Sequence, residues 1–174
     1  INYLETNTRI SREDIEKFIQ LGDLTLASSI RVLQEVDKKH EKLKKGIISA
    51  KIFEEEVKQE LERLDISKSI MEDYKEIDRL LKDIKIVDPA VGSGAFPVGM
   101  MNEIVKARSI LSLFFKEERK NYDLKREVIE NCLYGVDIDS SAVDIAKLRF
   151  WLSLIVDELD MKNIQPLPNL DHKI

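Results

Sequence analysis

Cysteine is almost missing: Cys132 stands alone among 174 residues, which excludes an internal disulfide and any thiolate cluster. Histidine is nearly as scarce, and His40 and His172 are too few and too far apart to found a metal centre, so no metal is expected. No apolar run approaches the roughly 18 residues that a membrane span needs; the longest candidate, Phe150 to Val156, is far too short. Residues Ile1 to Ile10 lack the basic-then-apolar layout of a secretory signal. These absences together read as a cytoplasmic chain with no membrane partner. An excess of positive charge is missing too, since 28 Lys and Arg face 33 Asp and Glu for a net charge of -5. A segment whose main task was gripping DNA phosphates would be basic, so any grip on nucleic acid lies mainly elsewhere. The sequence starts at Ile1 and stops at Ile174 in mid-pattern, as an excised fragment would.

What is present falls into two halves of different rhythm. Residues 1–82 form a helical N-terminal region. Ser11 followed by Asp14 resembles a capping box, and Ile15, Phe18 and Ile19 then make one apolar face that Gly22 and Asp23 are expected to break. Leu26, Ile30, Leu33, Val36, His40 and Leu43 recur three or four apart up to Gly46, a suitable residue just past a helix end. Phe53, Val57, Leu61 and Leu64 resume the rhythm, so an antiparallel helical hairpin turning at Gly46 is predicted. Lys38, Lys39, Lys42, Lys44 and Lys45 near that turn read as a solvated helix face rather than a phosphate grip. His40 lies on the apolar stripe and reads as a partly buried spacer rather than a ligand. A third helix is expected over Ser69 to Lys82.

The second half, residues 83–174, alternates strand and helix. A β-branched run, Ile84 to Val87, reads as a strand. Helices follow over Gly94 to Leu113 and Lys125 to Asn131, a strand over Leu133 to Ile138, and a helix over Ser140 to Leu159. His172 to Ile174 opens a third strand. This order predicts an α/β domain built on a parallel sheet. In the last helix Val143, Ala146, Leu148, Phe150, Trp151, Leu154 and Ile155 are expected to face the sheet, with Trp151 as a packing anchor.

The segment between the first strand and its helix carries the chemistry: Asp88-Pro89-Ala90-Val91-Gly92-Ser93-Gly94-Ala95-Phe96. Glycines in that position let a backbone approach a ligand closely. Asp88, at the carboxyl end of its strand, faces the crevice where open α/β sheets bind ligands. A carboxylate there suits an ammonium and repels a pyrophosphate. A dinucleotide site would need a third glycine where Pro97 stands, and a phosphate-binding loop would need Gly-Lys-Ser/Thr, which is absent. The glycine pair on its own also fits a tight structural turn. The second strand ends Tyr134-Gly135-Val136-Asp137-Ile138-Asp139, so if the strands are neighbours Asp137 can accept from both hydroxyls of a ribose and Ile138 can pack on adenine. Asp137 also admits a reading as a turn acid. Asp139, followed by Ser140 and Ser141, reads as a helix cap.

Those strings resemble motif I and motif II of the DNA amino-methyltransferases. They are most similar to type I modification subunits and to type IIG enzymes, which fuse methyltransferase and endonuclease. The resemblance runs from Asp83 to Ile174, with Pro166 to Ile174 similar to the lead into the motif III strand and Ile1 to Leu4 to the tail of the motif X helix. It implies the N-terminal part of a Rossmann-like fold that binds S-adenosylmethionine and acts, in the complete enzyme, on an adenine amino group in DNA. By the same resemblance Asp88 contacts the methionine ammonium, Ala90, Gly92 and Gly94 line the methionine moiety, Phe96 closes the pocket, Asp137 holds the ribose and Ile138 the adenine. The family's catalytic signature, Asn or Asp followed by Pro-Pro and an aromatic, is absent: Pro89, Pro97, Pro166 and Pro168 are never adjacent. No catalytic residue is assigned, and the chain by itself is expected to bind DNA weakly and to transfer no methyl group.

Two other readings fit the same residues: a methyltransferase acting on protein, RNA or small molecules, and a non-catalytic helical module on a degenerate domain. In the resembled family the motif I strand lies in mid-sheet. Without its motif IV neighbour, Ile84 to Val87 is expected to be an edge that a second copy or the N-terminal helices would cover.

Overall fold

The computed structural model describes residues 1–24, 35–36, 38–62, 66–115, 119–156, 166, 168–170 and 173–174. In chain order the elements are α1 (Asn2–Asn7), α2 (Arg12–Leu24), α3 (Ala50–Glu62), α4 (Lys68–Asp83), β1 (Ile86–Asp88), α5 (Ala95–Ser112), α6 (Asn121–Asn131), β2 (Leu133–Gly135) and α7 (Ser140–Ile155). Residues 38–44 are also helical. The described residues are thus mostly helical, with one small two-stranded parallel sheet. They divide into two compact units, one of Ile1–Leu80 with Ala107–Arg119 and one of Leu81–Lys106 with Lys120–Ile174.

In the first unit, local chemistry sets the helix ends. Ser11 Oγ accepts the Asp14 N–H at 3.2 Å, which satisfies one of the unpaired amides of the α2 N-terminus. The Asp14 carboxylate accepts instead from Ser69 Oγ at 2.8 Å. Gly22 and Asp23 do not break the helix as expected; α2 runs through them to Leu24. One glycine in a helix costs only about 1 kcal/mol, and the buried pair Ile15 and Phe18 supplies more than that by packing. Gly46, at φ 67, ends the helical residues 38–44: its N–H donates to Leu43 C=O at 3.0 Å and the Ile47 N–H to Lys42 C=O at 2.9 Å. These two bonds are the left-handed closure that glycine favours.

The hairpin about Gly46 forms as expected for its described residues. His40 stacks on Phe53 with ring centroids 4.8 Å apart, and Lys39 Nζ donates to Glu56 C=O at 3.1 Å. Val36, His40, Phe53 and Val57 are buried. His40 spans two carbonyls, Val36 at 3.1 Å and Phe115 at 2.9 Å, which agrees with a spacer and buries it further than expected. Lys38, Lys39 and Lys45 pair with Glu35, Glu56 and Glu41. Leu26, Ile30, Leu33 and Leu64 lie outside the described residues, as does the side chain of Leu61. Deeper in the unit, Asp78 Oδ1 accepts from Arg108 Nε and from an Arg119 amino group, each at 2.9 Å, and Arg108 is fully enclosed.

In the second unit β1 and β2 pair in parallel, with Ile86 opposite Leu133, Val87 opposite Tyr134 and Asp88 opposite Gly135. The strands are shorter than expected: β1 starts at Ile86 rather than Ile84, and β2 ends at Gly135 rather than Ile138. Beyond these points the backbone turns into loop, although Ile86 N–H still donates to Cys132 C=O and Val136 N–H to Asp88 C=O. On the other side of β2 the Gly135 N–H donates to Lys173 C=O at 2.7 Å, where a third strand was expected to open. His172 lies outside the described residues. Helix α6 begins at Asn121, four residues before the expected Lys125.

Helix α7 is held by its cap: Asp139 Oδ1 accepts the Ser141 N–H at 2.9 Å, as the sequence implied. Its core-facing stripe is narrower than expected. Ala146, Phe150 and Leu154 are buried, whereas Leu148 and Trp151 are exposed, so Trp151 is not the packing anchor. The reason is angular. Ala146, Phe150 and Leu154 recur every four residues on one side, and Trp151 lies about 100° further round than Phe150. The expected helix end at Leu159 lies outside the described residues. Among the described residues, no helix is long and apolar enough to cross a membrane, and no group of three His, Cys, Asp or Glu converges as metal ligands.

Candidate functional site

The site is the loop from Asp88 to Ala95 together with the residues that follow β2. The parallel register places the ends of both strands side by side, and the loop is strapped to the β2 end at three points. Val136 N–H donates to Asp88 C=O at 3.0 Å, and Val91 N–H donates to Val136 C=O at 2.9 Å. Gly92 N–H donates to Asp137 Oδ2 at 2.8 Å. Inside the loop, Asp88 Oδ1 accepts the Ala90 N–H at 3.1 Å and Gly94 N–H closes onto Val91 C=O at 2.8 Å. Helix α5 then starts, with Val98 N–H on Gly94 C=O.

The two loop glycines do different work. Gly92 has φ 49 and open space where a Cβ would stand, whereas Gly94 has φ 77 and a Cβ there would lie 2.9 Å from Ala146 Cβ. Gly94 therefore lets the loop settle against α7. Gly135 has a similar steric duty, since its Cβ would meet a Val91 methyl at 2.8 Å. Val91, Gly135 and Ala146 had no place in the sequence-based site. The signal that could have found Gly135 is an isolated glycine in a strand, which marks close approach of another backbone or side chain.

The structure brings the sequence-predicted residues into one small region. Asp88 and Asp137 are half-buried at neighbouring strand ends, and Ala90 and Gly92 lie on the loop between them. Ile138 is 106% exposed and Phe96 55% exposed, so these two apolar side chains face solvent. Gly94 is buried in the loop's floor. The Asp137 carboxyl is held below the ordinary aspartate range by hydrogen bonds from the Asp139, Gly92 and Ile138 N–H groups, which all favour its charged form. The arrangement is a pair of carboxylates at adjacent strand ends, joined by a glycine loop.

Residues 61–167 match the family described as the DNA-methyltransferase domain of MmeI. One relative is a Methanocaldococcus jannaschii protein named as a type II restriction enzyme and methyltransferase, 42% identical over 98 residues. Another is DNA methyltransferase A of Bacillus subtilis, 30% identical over 95 residues. The matches cover 54% and 53% of this chain but only 8% and 11% of those relatives, so the chain spans about a tenth of their length. No solved structure matches significantly. The chain belongs to the MmeI DNA-methyltransferase domain family, which bears out the resemblance read from its two motifs.

Proposed function

We propose that this member of the MmeI DNA-methyltransferase family is the donor-binding portion of a site-specific DNA methyltransferase of a restriction–modification system, with S-adenosylmethionine as donor and an adenine amino group as target. The fold assigned with it is the front part of a Rossmann-like domain, residues 83–174, preceded by a helical region, residues 1–82. One observation carries the reading: the Gly92 amide bonds to Asp137, which gathers motif I and motif II at adjacent strand ends. The arrangement suits the donor. Asp88 would hold the methionine ammonium, Ala90, Gly92 and Gly94 would line the methionine chain, and Phe96 would close over it. Asp137 would take the ribose hydroxyls and Ile138 the adenine face. Two carboxylates repel a pyrophosphate, which argues against a dinucleotide.

When bound, S-adenosylmethionine supplies a methyl group carried on a positively charged sulfur. This chain's own residues bind and orient it, and DNA enters only through the complete enzyme. No catalytic residue is assigned to this chain. The test is calorimetry with S-adenosylhomocysteine: the parent chain binds it, and Asp88→Ala and Asp137→Ala each weaken binding by about tenfold or more, as charge-assisted hydrogen bonds should. Equal affinity in parent and variants would sink the assignment.

For the chain alone we also propose self-association through the free edge of β1. Among the described residues β1 has one ladder partner, and Val87 is 64% exposed. Sedimentation should show a dimer that Val87→Lys reduces, and a monomer at every concentration overturns this.

A further inference from the structure

We propose that Asp137 is a positioning residue as well as a ligand contact, and that it holds the glycine loop in its binding shape through the Gly92 N–H. The inference rests on the cofactor reading above and deepens it.

Gly92 is the point where the loop needs help. Its left-handed backbone is open to glycine but is one of several conformations glycine adopts freely. Nothing lies within 4 Å of its Cβ position, so no packing selects this one. The neighbouring anchors are backbone to backbone: Val91 N–H on Val136 C=O and Gly94 N–H on Val91 C=O. Only the Gly92 amide, among these three, is fixed by a side chain, Asp137 Oδ2 at 2.8 Å. That side chain is fixed in turn, because Asp137 Oδ1 accepts the Asp139 N–H at 3.0 Å. Asp139 caps α7 by accepting the Ser141 N–H. A continuous set of hydrogen bonds thus runs from the α7 N-terminus through Asp137 to the loop. A carboxylate offers about four acceptor positions, so holding the Gly92, Ile138 and Asp139 amides still leaves capacity for a ribose hydroxyl on the same group. One residue then both shapes the loop and reads the ligand. Loss of Asp137 should weaken contacts made by the loop, including those to the methionine end, which its own side chain does not touch.

The experiment uses the full chain, labelled with nitrogen-15 and free of ligand. In Asp137→Ala the Gly92 amide should exchange at least about tenfold faster than in the parent, as loss of a charge-assisted bond predicts. The ladder amides of Ile86 and Val136 should keep their protection. Asp137→Asn, whose one carboxamide oxygen can face Gly92 or Asp139 but not both, should restore only part of the protection at Gly92. A second arm measures affinity for S-adenosylhomocysteine and for its 2′,3′-dideoxy analogue. Asp137→Ala should weaken both, while Asp137→Asn should weaken the analogue less than Asp137→Ala does. Unchanged Gly92 exchange in Asp137→Ala overturns the proposal. So does loss of ladder protection along with Gly92, or an affinity loss confined to the ligand that bears hydroxyls. If neither ligand binds the parent chain, the cofactor reading fails, and the exchange result still decides whether Asp137 holds Gly92.

Discussion

Asp78→Ala is expected to destabilise the first structural unit by about 3 kcal/mol or more, the usual cost of breaking an enclosed ion pair from one side. Asp78 Oδ1 is the common acceptor for Arg108 and Arg119, and the side chains of Asp78 and Arg108 are only 14% and 2% exposed. Removing the carboxylate leaves guanidinium charge where water cannot replace it. Arg119→Ala should cost less, because Arg119 is 17% exposed and its loss leaves the Asp78–Arg108 pair intact. Phe115 adds a reason for caution in choosing the control: the Arg119 guanidinium lies 4.8 Å from that ring, and Tyr74 stacks on Phe114 nearby. Arg119→Met keeps much of the apolar contact and isolates the charge. Urea unfolding followed by hydrogen exchange should show the loss concentrated at amides of the first unit. A change under about 0.5 kcal/mol, the level of an ordinary surface substitution, would mean the cluster contributes nothing to folding.

That cluster also marks the limit of what the sequence makes legible. Features set by a few consecutive residues could be read directly. Ser11 before α2, Gly46 after residues 38–44 and Asp139 before α7 all take the capping roles their chemistry suggests, because each partner lies within one turn. The motif strings at Asp88 and Asp137 were legible for another reason: they combine strand, glycines and acids in a fixed order, and family membership agrees with them. Contacts between distant residues were not legible. Asp78 meets Arg108 and Arg119 across separations of 30 and 41 positions, and Gly92 meets Asp137 across 45. Nothing in a local pattern distinguishes those acids from the other charged residues of an amphipathic helix or turn. The excess apolar width of α7 misled in the opposite direction. Leu148 and Trp151 looked like core, yet only Ala146, Phe150 and Leu154 of that helix are buried.

Gly94→Ala should disrupt the loop more severely than Gly92→Ala, although both glycines belong to one motif. Each substitution meets a backbone with positive φ, 49 at Gly92 and 77 at Gly94, which costs a residue with a Cβ roughly 1–2 kcal/mol. For Gly92 the penalty stops there, since the space beside it is open. For Gly94 the new methyl would lie 2.9 Å from Ala146 Cβ and 3.1 Å from Ala146 Cα. Neither atom belongs to a flexible side chain, so the loop or α7 must move, and overpacking of that kind costs roughly a further 1–3 kcal/mol. The expected total for Gly94→Ala is about 3 kcal/mol, with S-adenosylhomocysteine binding weakened more than tenfold. A compensating change separates the two contributions. Ala146→Gly removes the atom that Gly94→Ala strikes, at a helix-propensity cost of about 1 kcal/mol. The double variant should therefore be less destabilised than the sum of the single variants, by an amount close to the steric share. Thermal or urea unfolding of all four proteins completes the cycle. Strict additivity would show that the loop does not rest on α7 at Ala146, and that backbone conformation alone makes Gly94 necessary.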